Sequence, residues 1–474
     1  MGFNGRAGKG VGVSRISISC RVPGVFLSTR RRHRDLPKKA CRFSMSNSHD
    51  FLTQKILSAL PEPQQVVWAP VREKLIAEYC WYPDWLYSPD RAQRVAAQPY
   101  VTTVDGVPFH YLPANAVETN NWAVEKDGTL RRLANAPNRH WQFVAKGFHN
   151  SITRVLSHLR AGRIDEAARF LGPLLHMVED TGSGVHVLEG IDGTDAMLMD
   201  RLMAPPSGRI SDRPGTILRQ DDAVQFEWGS FQPALLGTTV GEIIFHLFRR
   251  YAAMVRLNRL ELVPMIQQHW DGDLAASRAR IGTMNRRVCE VAADLLYTLT
   301  CVATDRFSSS DLESLEKVAL EDLEPIHRPY ILPGYEASPL VNGHNLDGEG
   351  ALVALCLDLP EGRHEFAAGL GTGCHVEYLL AYDLPSHVFE RFRGCVGLHA
   401  ELAAEGAFAV EMRLAGQTLY EDTFDRKHPA TAFDLPVTAG GMLELYVRDR
   451  TGAWDSPHNH VVWGGVELVK AEGR

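Results

Sequence analysis

The run His176-Met-Val-Glu-Asp180-Thr-Gly-Ser-Gly-Val-His186 sets two imidazoles and a carboxylate close together in the chain. Residues four apart share one face of a helix, so His176 and Asp180 point at a common spot if this segment is helical. Gly182 and Gly184 break the pattern and let His186 fold back toward the same place. An imidazole, a carboxylate and a second imidazole converging in this way make a zinc half-site. Taken alone, His-x3-Asp is also the pattern of an ordinary polar helix face, so other residues must decide. Upstream stand His49 in Asn47-Ser-His49-Asp, Asp84 in Tyr82-Pro-Asp84-Trp and His110 in Val107-Pro-Phe-His110-Tyr. Downstream, Glu242 and His246 are again four apart. Each has a plain alternative: Asp84 as a turn residue after proline, His110 as a loop histidine, Glu242 and His246 as a solvated helix face.

The elements that would position these groups are read from hydrophobic spacing. Residues 50–320 are mostly helical in pattern. Apolar positions recur at helical intervals over Phe51–Leu60, Val66–Tyr79, Phe148–Leu159, Ala167–Val178, Thr239–Val255 and Ile281–Thr304. Residues 188–238 carry Gly, Pro and Asp throughout and read as a long functional loop. Near Pro325 the character changes to short apolar runs between turn residues: Ala351–Leu357, Phe408–Leu414 and Met442–Val447. Period-two alternation with frequent turns predicts an antiparallel sandwich. The expected fold class is therefore multidomain: an all-α domain over residues 45–320, followed by an all-β antiparallel sandwich over 325–472.

Composition narrows the function classes. The 474 residues suffice for two domains or more, and 45% hydrophobic with 23% charged residues is ordinary for a globular protein. The formal charge of −7 conceals an asymmetry. Residues 1–50 hold eleven Lys/Arg against Asp35 and Asp50, which leaves 39 basic and 55 acidic residues in the remainder. Such an acidic body argues against a broad phosphate-backbone footprint. Residues 1–44 are rich in Gly, Ser and Arg and are expected to be disordered and outside the fold, with Met45 as an alternative start. Arg15 and Arg21 interrupt the only apolar part of that segment, so no secretory signal is read, no run spans a bilayer, and localisation stays open. Eight cysteines form no Cys-x-x-Cys pair. They read as buried free thiols, with a Cys374–Cys395 bridge left open.

In order and character, Asn47-Ser-His49, Tyr82-Pro-Asp84, Phe109-His110-Tyr111 and His176-x3-Asp180-x5-His186 resemble the zinc-dependent phospholipases C and the related single-strand-specific nucleases. The stretch Arg163–Gly172 also resembles that family's helix, and the likeness spans roughly residues 46–260. It implies an all-α fold holding two or three Zn2+ ions. Asp84, His110, His176 and Asp180 would hold one ion, and Asp180 would bridge to a second bound by His49. His186, His246 and Glu242 would hold a third. Asp84 would double as the catalytic base. Two departures stand out. The family's free N-terminal Trp has no counterpart in Met45-Ser-Asn, and Glu242-x3-His246 reverses the family's closing His-x3-Glu.

A second resemblance covers the C-terminal part. Gly369-Leu-Gly-Thr-Gly-Cys-His375, Tyr382-Asp-Leu384, Phe389–Gly397, Val410–Tyr420 and Asn459-His460-Val-Val-Trp463 are similar to the NPCBM-type β-sandwich modules found beside glycosidases. The modules often have Asp-His where this chain has Asn459-His460. The implied role is targeting, with polysaccharide as a possible ligand, while Trp463 and His460 read as packing residues. Together the two resemblances imply a zinc-dependent phosphodiester hydrolase, with a phospholipid head group favoured over single-stranded nucleic acid. The alternatives are a single-strand-specific nuclease and a non-catalytic polysaccharide- or surface-binding protein with a degenerate metal site.

Overall fold

The computed structural model describes residues 49–85, 122–124, 130–132, 138–182, 224–323, 325, 340–347, 349–373, 377–403, 405–451 and 459–470; for residues 122–124, 130–132, 138–147 and a few other positions within elements, it describes the backbone path only. Helix α1 (His49–Ala59) stops where Pro61 begins the next segment. The span expected as one helix from Val66 to Tyr79 is divided, because Pro70 has no N–H to continue the ladder. It becomes α2 (Glu62–Trp68), a 3-10 turn at Ala69–Val71, α3 (Arg72–Ala77) and a second 3-10 turn at Tyr79–Trp81, followed by the short α4 (Tyr82–Trp85). A small hairpin follows, β1 (Trp122–Val124) with β2 (Leu130–Arg132).

The long helices come next: α5 (Asn138–Arg160), α6 (Ile164–Gly182), α7 (Val240–Trp270) and α8 (Leu274–Thr304). Their starts are written in the sequence. The Thr239 hydroxyl accepts from the Glu242 N–H to cap α7, and Asp273 accepts from the Ala276 N–H to cap α8. Ser308 and Asp311 form a reciprocal capping box on α9 (Ser309–Glu313). The helices bury Leu52, Ile56, Trp68, Phe148, Leu171, Leu175, Leu247 and Leu296 in one apolar core. No described helix is long and apolar enough to cross a membrane.

The sandwich packs two antiparallel sheets over a separate core that includes Phe392, Phe408, Phe424, Val461 and Trp463. One sheet runs in the order β13 (Ala430–Pro436), β10 (Phe389–Leu398), β15 (His460–Lys470), β8 (Gly369–Gly373), β4 (Val341–Asn342). The facing sheet is β12 (Gln417–Phe424), β11 (Phe408–Leu414), β14 (Gly441–Asp449), β9 (Glu377–Leu384). A third, small sheet joins β5 (His344–Leu346), β6 (Leu352–Leu359) and β7 (Gly362–Phe366). Along β11 buried and half-buried residues alternate strictly, the signature of a strand with one face in the core. Trp463 is fully buried and its indole N–H donates to the Tyr378 hydroxyl at 3.2 Å. One strand arises ahead of the boundary expected near 325. It is β3 (Lys317–Ala319), which pairs with the end of β15 through Val318–Leu468.

The helical core and the sandwich belong to one compact unit. The rings of Phe245 on α7 and Phe389 on β10 meet at 5.2 Å, and Arg249 lies 3.4 Å from Asp322. The Lys470 ammonium at the end of β15 pairs with the Glu242 carboxylate at the start of α7.

Candidate metal centre

The cluster is built where the first residue of α1 meets the last turns of α6. His176, Glu179 and Asp180 lie within two turns of α6, and His49 opens α1. One nitrogen from each of His49 and His176 and one oxygen from Asp180 all lie within 4.8 Å of one another, and among the described residues this is the one group of such ligand types. The Asp180 carboxylate meets the Nε2 atoms of both rings. Its Oδ1 is 3.3 Å from His49 Nε2, and its Oδ2 is 3.0 Å from His176 Nε2. The rings themselves stack, with centroids 3.7 Å apart and planes 24° apart, and the edge of Trp81 closes one side of His49.

What lies behind each ring fixes which nitrogen faces the cluster. His176 Nδ1 is 2.6 Å from the Cys80 carbonyl, an acceptor only, so this nitrogen carries the proton and Nε2 presents a lone pair. His49 Nδ1 donates in the same way to Glu179 Oε2 at 2.7 Å. The other Glu179 oxygen accepts from the Thr53 hydroxyl at 2.8 Å, one turn along α1 from His49. Gly172 makes the Cys80 contact possible: a Cβ there would lie 2.4 Å from the Tyr79 carbonyl carbon, so only glycine lets α6 approach the turn that carries Cys80.

The electrostatics ask for a cation. His176 and Glu179 are fully buried, while His49 and Asp180 keep 13% and 20% exposure and so offer a way in. With both rings as neutral ligands, the form a bound metal requires, the two carboxylates leave two negative charges, which one divalent ion would balance. Burial alone would depress the His49 pKa, but Asp180 and Glu179 together outweigh it and hold the pKa well above the ordinary histidine value. Two imidazoles, each oriented by a hydrogen bond at Nδ1, and a carboxylate form a ligand set that could hold a metal ion.

Of the residues expected from sequence, the structure brings His49, His176 and Asp180 together. Asp84 falls in α4, which packs on α6 directly after the turn holding Cys80; its backbone is described and its side chain is not. His110 and His186 lie outside the described residues. Glu242 and His246 stand apart from the cluster. The Glu242 carboxylate accepts from the Thr238 N–H at 2.8 Å and pairs with Lys470, so it caps a helix and ties it to the sandwich. His246 is buried against Phe245 and Phe389 among the cations Arg249, Arg250 and Lys470, surroundings that oppose a metal ion. Both make structural contacts here, and neither joins the described His49–His176–Asp180 group. Sequence reasoning passed over Glu179 and Thr53. The signals were an acid directly after the largely apolar stretch Leu174–Val178 and next to Asp180, and a hydroxyl four residues after His49.

Among the described residues, Cys80, Cys289, Cys301 and Cys356 are buried thiols and Cys395 is a half-buried one; Cys374 lies outside the described residues.

Comparisons with known proteins fall mainly on the sandwich. Residues 341–469 match the family model "NPCBM/NEW2 domain", the segment whose motifs resemble that module. No curated protein matches the chain. Among solved structures, the CBM51-2 and INT domains of Clostridium perfringens ZmpB with GlcNAc align at 16% identity and TM-score 0.27, over 32% of this chain and 31% of that one. The chain thus spans about a third of the length of that structure. The CBM51 of a Clostridium perfringens GH95 protein with methyl-galactose aligns at 20% identity and TM-score 0.28, over 32% of this chain and 99% of that one. The alpha toxin of Clostridium absonum aligns at 10% identity and TM-score 0.33, over 90% of this chain and 96% of that one. Residues 341–469 match the NPCBM/NEW2 domain model, and the helical part that precedes them carries the histidine–carboxylate cluster.

Proposed function

We propose that this protein is a zinc-dependent phosphodiester hydrolase whose sandwich serves as a targeting module. The observation that carries the reading is the disposition around Asp180. Two imidazole Nε2 atoms face its two oxygens at 3.3 and 3.0 Å, while each Nδ1 is held from behind by a buried acceptor. In this reading His49, His176 and Asp180 hold zinc, with Asp180 as the bridge between ions. Asp84, His110 and His186 complete a set of two or three ions, and Glu242 and His246 are left out of it. Zinc bound there would lower the pKa of a coordinated water toward ~7 and neutralise non-bridging phosphodiester oxygens. The protein's own groups orient the ligands and move the proton. The Cys80 carbonyl keeps the His176 ring in the ligating tautomer, and Asp84 accepts the proton released by the attacking water.

The phospholipid head group is the favoured substrate class. Residues beyond position 50 hold 39 basic against 55 acidic side chains, a poor surface for a nucleic-acid backbone, which places single-stranded nuclease activity second. The module, from its likeness to NPCBM domains, directs the enzyme toward carbohydrate-bearing surfaces. Elemental analysis tests the proposal together with assays on a chromogenic choline phosphodiester and on single-stranded DNA. The wild-type chain should hold at least about one zinc and cleave the choline ester faster. His176→Ala and Asp180→Ala should lose both metal and activity. Full metal content in those variants, or a metal-free wild type, would sink the assignment. The metal-free outcome would favour a binding-only protein.

A further inference from the structure

Glu179 occupies the position with most consequence that the proposed chemistry leaves without a role. Its carboxylate is fully buried, follows an apolar run and adjoins Asp180 in sequence, yet it does not face the ligand atoms. Both its oxygens are directed at α1. Oε2 accepts from His49 Nδ1 at 2.7 Å, and Oε1 accepts from the Thr53 hydroxyl at 2.8 Å. His49 and Thr53 sit one turn apart on the same face of α1, so a single carboxylate bridges two successive positions of that helix. Successive residues of α6 thus do different work: Asp180 meets Nε2 of His49 and Glu179 meets Nδ1 of the same ring.

We propose that Glu179 is a positioning residue that locks His49 in its ligating tautomer and supplies the second negative charge of the metal centre. The inference rests on the metal-site reading above and deepens it. Three observations converge. Rotating the His49 ring by half a turn would place a C–H against Glu179 and forfeit the bond to a buried carboxylate, so the ring has one favoured orientation. Thr53 holds the carboxylate from the other side, so Glu179 cannot swing to become a direct ligand without abandoning a buried hydroxyl. A carboxylate behind a ligating imidazole also raises the basicity of the ring and adds charge complementary to a divalent ion. His176 has a neutral carbonyl in the equivalent place, so the pair is asymmetric and His49 is the more strongly donating ligand.

The experiment uses the full chain and the metal alone. Zinc affinity is measured by chelator competition for the wild type, Glu179→Ala, Glu179→Gln and Thr53→Val. Cobalt substitution supplies a ligand-field spectrum for each. Loss of an outer carboxylate of this kind weakens metal binding by about 10- to 100-fold, and Glu179→Ala should fall in that range with a perturbed cobalt spectrum. Glu179→Gln keeps an oxygen for His49 Nδ1 and loses only the charge, so it should keep the wild-type spectrum and bind zinc with an affinity between those of the wild type and Glu179→Ala. Thr53→Val should weaken binding by a few-fold through a looser carboxylate. It also serves if Glu179→Ala fails to fold. Equal zinc affinity and unchanged spectra in all three variants would overturn the inference while leaving the metal site standing. A wild-type chain that binds no zinc would bring down the functional reading and this inference together, and the two failures differ at the wild type.

Discussion

Replacing His246 by leucine should stabilise this protein, and more so in acid. The ring is 1% exposed, and neither nitrogen has a hydrogen-bond partner among the described residues. Burial, with Arg249, Lys470 and Arg250 nearby, pushes its pKa from 6.5 down to about 3. The sign follows from which state holds the proton. Below pH 6.5 the unfolded chain binds a proton that the folded chain refuses, so stability is complete above 6.5 and is lost as pH falls toward 3. At ~1.36 kcal/mol per pK unit, moving from pH 7 to pH 5 removes about 2 kcal/mol through this one group. Leucine, of similar size, abolishes that loss. It also removes buried polar atoms whose missing bonds cost about 1–3 kcal/mol. Urea denaturation of both proteins at pH 7 and pH 5 provides the assay, and the difference between them cancels groups that titrate alike. The expected gain is about 1–3 kcal/mol at pH 7 and about 2 kcal/mol more at pH 5. A leucine variant that is less stable at pH 7 and keeps the wild-type pH slope would refute the reasoning. Loss of zinc on the same substitution would show that the histidine serves the metal after all.

Three further outcomes follow from specific contacts. Lys470→Met strands the Glu242 carboxylate, which is 1% exposed, and should cost about 3–5 kcal/mol in urea unfolding, with partial recovery when Glu242→Gln is added. Gly172→Ala drives a methyl into the Tyr79 backbone at 2.4 Å; it should destabilise by about 1–3 kcal/mol or more and lower zinc affinity, because Cys80 carries the carbonyl behind His176. Trp463→Phe loses the bond to Tyr378 in the sandwich core and should lower the melting temperature while leaving zinc content intact.

The broad architecture could be read from the chain because it rests on local patterning. Phe408–Leu414 is a strand to the residue, and Thr239 and Glu242 mark the start of α7 as their types suggest. The convergence of His176 with Asp180 also follows from helical periodicity alone. Partners across elements did not follow in the same way. That His49 lands on His176 depends on how α1 crosses α6, which no spacing encodes, and the likeness to a family supplied it instead. Glu242 and His246 show the reverse. Helical spacing placed them on one face, and that face turns toward the sandwich, where the Glu242 carboxylate meets Lys470 and the His246 ring meets Phe389. Glu179 was missed because a buried acid reads as a solvated one until its hydroxyl and imidazole donors are seen on another helix.

The strand Lys317–Ala319 sets where the module can be cut. On one side, the last strand of the sandwich is shared between two neighbours: Gly369–Gly373 covers residues 460–464, and Lys317–Ala319 covers residues 467–469. Val318, Leu320 and Leu323 also belong to the sandwich core. A fragment starting at residue 341, where the family match begins, or at 325, would lose those side chains. It would expose an unpaired backbone edge with apolar flanks, and such edges recruit further strands from neighbouring molecules. Self-association of that fragment would then report a missing lid and not a property of the module. A fragment beginning before Lys317 keeps the edge closed, so the connecting segment is as much a part of the sandwich as of the helices it leaves.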